Sequence, residues 1–223
     1  MKTSTGLIRR MASDWTREMF HVKHGEKQMQ KNETYSVEIT GLTAEGEGVA
    51  RVDGQVVFVP GVIPGERCKI KIDHVGRTCA YGSLVRVEKT SEHRVTPECE
   101  SFGHCGGCVF WDLDYACELE QKRRRVQDAL SRIGGIDFPD LQITGSESIY
   151  GYRNKVQFPV QVQNGKAVAG FYKAGSHTVI PITDCKIQPG VAKTIRAAVL
   201  SWMEKENVPA YDERTNTGLV RNI

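Results

Sequence analysis

TYSVEITGLTAEGEGVARVDGQVVFVPGVIPGERCKIKIDHV (residues 34–75) decides the fold class. TYSVEIT (34–40), QVVFV (55–59) and RCKIKIDHV (67–75) are rich in β-branched and aromatic residues, and several of the β runs alternate apolar with polar. That two-residue period is the signature of half-buried strands. Gly41, Gly46-Glu47-Gly48, Asp53-Gly54, Pro60-Gly61 and Pro64-Gly65 punctuate the runs as turns. Asp53-Gly54 between two β runs is a hairpin signal. YGSLVRVEK (81–89) continues the pattern. About five short strands at this spacing predict a small closed barrel of OB type over residues 32–92. Gly46-x-Gly48 lacks a third glycine and opens no helix, so it carries no dinucleotide reading.

Downstream the pattern changes. Residues 99–111 form a Cys- and Gly-rich loop. A helix is expected from about Asp112 to Ile133, capped by Asp112 or Asp114 and ended by Gly134-Gly135. Leu119, Val126, Leu130 and Ile133 are its expected apolar face. VQFPVQV, AVAGFYK and HTVIPIT, within 150–184, read as further strands. A second helix is expected over about Val191–Glu206, burying Ile195, Ala198, Val199 and Trp202. GLVRNI (218–223) reads as the start of a strand. The whole is a mainly β chain with an α+β second part over 93–223. Residues 1–31 are polar and basic and read as a disordered leader, with a short helix around Trp15–Phe20 and an alternative start at Met29.

Composition narrows the classes. The 223 residues are 39% hydrophobic and 26% charged, which suits a soluble protein of one to two domains. No apolar run approaches the ~18 residues of a spanning helix. No apolar stretch follows the early basic residues as a signal peptide requires. The expectation is a cytoplasmic protein without a membrane partner. Net charge is only +3, with 10 Lys/Arg against 6 Asp/Glu over 145–223. Such a balance permits nucleic acid as a partner but does not demand it.

The chemistry lies in the cysteines. There are seven, an odd number, which argues against a secreted disulfide framework. Cys99-x5-Cys105-x2-Cys108 stands in CESFGHCGGC (99–108). Three thiolates on a Gly-rich loop can converge on one metal centre, and a fourth donor must close it. Cys68 and Cys79 lie in strands, and Cys117 lies on the helix, where a small packing residue is the ordinary role. Cys185 sits in a short polar turn, TDCKIQP (183–189), which suits a ligand. Spacing alone leaves zinc and an iron–sulfur cluster equally open, and His104 is a further zinc donor.

CESFGHCGGCVFWDLDYACELEQKRRRVQDALSRIGG (99–135) resembles the cluster-binding segment of the bacterial RNA (uracil-5-)-methyltransferases, in the branch that modifies 23S ribosomal RNA. Cys-x5-Cys-Gly-Gly-Cys followed by Tyr115, Gln121 and Lys122 matches that pattern. EGEGVARVDGQVVFVPGVIPGE (45–66) resembles the family's TRAM domain, a small RNA-binding β-barrel. GYRNKVQFPV (151–160) and GFYKAGSHTVIPITDCKIQP (170–189) resemble its central domain, where Cys185 matches the fourth cysteine. The resemblance implies a [4Fe–4S] cluster on Cys99, Cys105, Cys108 and Cys185. It implies RNA, ribosomal RNA above all, as the partner of a monomer.

In the family a C-terminal Rossmann-like domain binds S-adenosylmethionine and supplies a nucleophilic cysteine. The sequence has no Gly-rich strand-to-helix turn and no cysteine after Cys185 that could match it. The expectation is therefore a C-terminally truncated chain with the methyltransferase half missing, no catalytic residue, no S-adenosylmethionine site, and no methyl transfer by itself. Arg153, Asn154 and Lys155, beside Tyr152 and Phe158, are the expected RNA contacts, with Lys173 and His177 behind them. A salt-bridged strand edge explains the first three equally well. A stand-alone RNA-binding iron–sulfur protein without transferase activity is the alternative function.

Overall fold

The computed structural model describes residues 29–223. The expected leader helix around Trp15–Phe20 lies outside the described residues. Met29, grouped with the leader on sequence grounds, is 5% exposed and packs into the first core.

Six strands build the first sheet: β1 (Thr34–Glu38), β2 (Gly41–Leu42), β3 (Gly48–Val52), β4 (Gln55–Val59), β5 (Arg67–Val75) and β6 (Cys79–Lys89). Their order is β1-β5-β6-β4-β3-β2. All pairs are antiparallel except β4 with β6, where Val56 faces Cys79 in parallel register. Asp53 and Gly54 adopt φ of 50° and 81°, as the two-residue hairpin between β3 and β4 requires. Inward residues follow the two-residue period. Ala50 and Val52 of β3, Val57 and Val59 of β4, and Cys68, Ile70 and Ile72 of β5 form one core. Gly48 is a packing requirement, because a Cβ there would stand 2.3 Å from Val62 Cγ2.

A second, three-stranded antiparallel sheet comprises β7 (Val160–Gln163), β8 (Lys166–Tyr172) and β9 (Val179–Pro181). The segment expected to begin a strand does pair. Phe158 and Ile223 exchange backbone hydrogen bonds of 2.8 and 2.9 Å, and Val160 N–H donates to the Arg221 carbonyl at 2.9 Å.

The helices differ from expectation in extent and in face. The first, α1, runs Tyr115–Asp128 and continues as one π-helical turn, Ala129–Ile133. Half of its expected face is exposed, with Ile133 at 86%, while Leu119 and Leu130 are half-buried. Only Cys117 is buried, against Ile63 and Leu113, so α1 anchors by its first turns. The second, α2, runs Gly190–Lys205 and buries Ala192, Arg196 and Met203. Ile195 (52% exposed), Ala198 and Trp202 turn outward, and of the expected stripe only Val199 packs inward. The reason is Arg196. Its guanidinium lies 5.3 Å from the Phe158 ring centroid and donates to the Thr183 carbonyl at 2.8 Å. A cation at the centre of the buried face hides that face from apolar periodicity. No described helix is long and apolar enough to cross a membrane.

Candidate functional site

The segment between the sheets is locked at its base. Glu66 is fully buried and accepts from the Ile63 amide at 3.0 Å. Arg94 reaches it with two guanidinium N–H groups and places a third on Asp112 at 3.0 Å. One residue earlier, His93 Nδ1 lies 2.6 Å from Asp114. Asp114 also caps α1, accepting from the Cys117 amide at 2.8 Å. The cysteine loop thus leaves and re-enters at fixed points beside the first sheet.

Within the loop, tight turns carry the cysteines. Cys105 N–H donates to the Ser101 carbonyl at 2.8 Å, and Phe102 N–H to the Cys99 carbonyl at 3.0 Å. The loop then docks on the β8–β9 hairpin. Gly106 N–H donates to the Tyr172 carbonyl at 3.0 Å, and Cys105 bridges Lys173. A Cβ at Gly106 would stand 3.0 Å from the Ala174 backbone, so this approach requires glycine.

Cys185 arrives from the turn after β9. Backbone bonds from Gly151 to Lys186 (2.9 Å) and from Arg153 to Ile187 (3.0 Å) bind that turn to the 151–153 segment. The four cysteines Cys99, Cys105, Cys108 and Cys185 share the wall of one cavity of about 50 Å³, and Arg153 completes it. Burial pushes the Cys105, Cys108 and Cys185 thiols up, and hydrogen-bond donors work the other way. Gly107 N–H donates to Cys105 Sγ at 3.3 Å. The Trp111 side chain hydrogen-bonds Cys108, and the Ile187 and Gln188 amides act on Cys185. Arg153 favours the thiolates of Cys105 and Cys108. The net direction for all three is upward, toward the neutral thiol. As the side chains stand, no group of three or more His, Cys, Asp or Glu among the described residues is placed to hold a metal ion.

The other three cysteines are elsewhere. Cys68 is in the first core, and burial pushes its thiol up to about 11. Cys79 is in β6, and Cys117 lies in the first turn of α1, buried against Ile63 and Leu113. His104 is exposed and does not line the cysteine cavity.

Of the expected RNA contacts, Arg153, Asn154, Lys155, Lys173 and His177 are all exposed. Arg153 and Lys173 meet the cysteine loop. His177 stacks near Tyr172, with centroids 5.6 Å apart, and faces Glu213. Asn154 and Lys155 share no contact with the cysteine cavity. Arg153 and Lys155 make no ion pair among the described residues, and residues 152–158 lie outside the strands.

Sequence reasoning did not find the neighbouring groove. It is a cavity of about 720 Å³ that shares Gly107, Cys108 and Ile187 with the cysteine cavity. Its signal was the density of aromatics at Phe110-Trp111, Tyr115, Tyr150 and Tyr152, spread across two distant segments.

Comparison with known proteins gives these findings their setting. Residues 28–85 match the TRAM domain family model. The chain is 40% identical over 195 residues to an uncharacterized RNA methyltransferase of Clostridium tetani, covering 87% of this chain and 42% of that protein. It is 37% identical over 205 residues to one of Caldanaerobacter subterraneus, covering 92% and 44%. The chain therefore spans less than half the length of these curated relatives. Among solved structures it resembles the tRNA (uracil-54, C5)-methyltransferase of Pyrococcus abyssi, which was crystallised with S-adenosyl-L-homocysteine. The TM-score is 0.59 at 21% identity, covering 84% of this chain and 41% of that one, a likeness of fold.

Proposed function

We propose that this chain is the RNA-recognition part of an S-adenosylmethionine-dependent RNA uracil-C5 methyltransferase acting on 23S ribosomal RNA. On this reading it is a cytoplasmic, monomeric protein that grips RNA and holds a [4Fe–4S] cluster. The first sheet is a TRAM barrel of OB type, and the part from residue 93 onward is the cluster and central domain. The TRAM match at residues 28–85 and relatives named as RNA methyltransferases support the RNA partner and the methyltransferase setting.

The observation that carries the cluster is the shared cavity. Cys185, remote in sequence, meets Cys99, Cys105 and Cys108 there, with N–H donors and Arg153 around the sulfurs. A mononuclear zinc site needs four donors about 2.0–2.3 Å from one ion. The described side chains as they stand form no metal site of either kind, so the choice of a cluster over zinc rests on the cysteine pattern of the resemblance. A cluster asks each thiolate to hold a different iron, so it needs a ring of cysteines around a space. The four cysteines lining one cavity support this reading. When bound, it supplies a clip across three chain segments. Arg153 and Lys173, beside that clip, would present cations to RNA phosphates, with Asn154, Lys155 and His177 extending the surface.

The test is anaerobic purification from iron-replete cells. The expected product is brown and holds about four irons per chain. Stoichiometric zinc without iron would overturn the cluster. The chain alone is expected to transfer no methyl group. Incubation with labelled S-adenosylmethionine and unmodified ribosomal RNA should leave the RNA unlabelled, and label at uracil C5 would reverse that expectation.

A further inference from the structure

The geometry points to a second RNA site: we propose that the aromatic groove beside the cysteine cavity takes an unstacked nucleobase of single-stranded RNA. This rests on the RNA-binding reading above.

The groove has the size and lining for such a guest. Its volume of about 720 Å³ falls in the range of small-ligand sites. Trp111 and Tyr150 form one wall, with ring centroids 5.8 Å apart and planes inclined at 47°. Tyr152 lines it as well and is 59% exposed. An exposed tyrosine beside a tryptophan is costly surface for a free protein. It is useful surface for stacking, because every base offers a π-face.

The aromatic lining favours a flat base over an aliphatic guest. Three carboxylates line the groove, and each already has a partner. Glu98 accepts from the Tyr150 hydroxyl at 2.7 Å. Asp114 is held by His93 and the Cys117 amide. Glu118 is paired with Lys122. Only Glu118 is paired with a lysine; the Tyr150 hydroxyl and the Cys117 amide leave Glu98 and Asp114 their charge, so the groove suits an uncharged base and the phosphates lie outside it. Arg153 follows Tyr152 directly, lines the adjoining cysteine cavity and makes no ion pair among the described residues. The stacking wall suits the base, and Arg153 in the adjoining cavity is the nearby cation for its phosphate.

The experiment uses the full chain and two probes of equal length, an oligouridylate and a wholly abasic phosphodiester. Both carry the same phosphates, and only one carries bases. Tyr152→Ala is expected to weaken the oligouridylate by about 5- to 150-fold, the value of one stacked base. It should leave the abasic probe unchanged. Tyr152→Phe should behave like the parent, since the ring and not the hydroxyl does the stacking. Circular dichroism checks that each variant folds. Equal losses on both probes, or no loss on either, would overturn the groove assignment. If the parent binds both probes and Arg153→Ala weakens both, the RNA-binding reading stands even as the groove fails. If the parent binds neither probe, both readings fall.

Discussion

Arg94 Nε lies 2.6 Å from Glu66 Oε1, and Arg94 Nη2 lies 2.9 Å from Glu66 Oε2. This two-toothed pair joins the segment after β6 to the turn before β5. Through Asp112 it also reaches the end of the cysteine loop. Burial opposes the guanidinium charge, but the Glu66 hydrogen bonds come first and hold Arg94 above its ordinary range.

Glu66→Gln removes the charge while keeping the shape. It leaves the largely buried guanidinium with Asp112 as its remaining counter-ion among the described residues. Breaking one side of a buried pair costs about 3–5 kcal/mol. The Arg94 side chain keeps 26% exposure, so the lower end of that range is expected. Urea unfolding should show a lower midpoint with an unchanged slope. A midpoint within error of the parent would show that the pair contributes nothing net.

Cys185→Ser should lose most of the iron, because it removes one of four thiolates around the cavity. Cys117→Ser should keep it, since Cys117 packs against Ile63 and Leu113 from the first turn of α1. Iron content and visible absorbance after anaerobic purification read both variants. Iron lost from Cys117→Ser and retained in Cys185→Ser would reassign the fourth ligand.

RNA affinity should fall with salt, with a slope of log affinity against log salt of about 0.7 per phosphate contact on single strands and about 0.9 on duplex. Arg153→Ala and Lys155→Ala should each lower that slope by about one contact without unfolding the protein. Arg153 also lines the cysteine cavity, so iron content is measured alongside. If both variants keep the parent slope, these residues are structural.

Asp114 gives the fold a pH dependence. Burial pushes its carboxyl up, but the Cys117 amide and His93 outweigh this and leave it below the usual carboxylate value. A group depressed in the folded state contributes stability above its unfolded pKa, about 3.9, and loses it as pH falls through the folded value. Asp114→Ala should therefore cost about 1 kcal/mol at neutral pH, the usual worth of a helix cap. The gap to the parent should close in acid below about pH 4. A gap that stays constant down to pH 2 would exclude the carboxylate as its source.

Much of the fold is legible in residues 34–89. Strand alternation is a local property, and the Asp53-Gly54 turn needs only its two residues to adopt positive φ. The cysteine box is legible for the same reason: Cys99, Cys105 and Cys108 sit on one loop, and glycines next to them state how tightly it turns. Helix faces were not legible. Periodicity shows that α2 has an apolar side, but Arg196 packed over Phe158 decided which side is buried. Tertiary structure alone brought Cys185 and Arg153 to the cysteine loop, through backbone bonds between segments distant in the chain. It alone assembled the groove, where Trp111 meets Tyr150 across 39 residues of sequence. Sequence by itself determines which residues can turn, alternate and bind. Which of them meet is set by long-range packing, whose contacts leave no periodic trace along the chain.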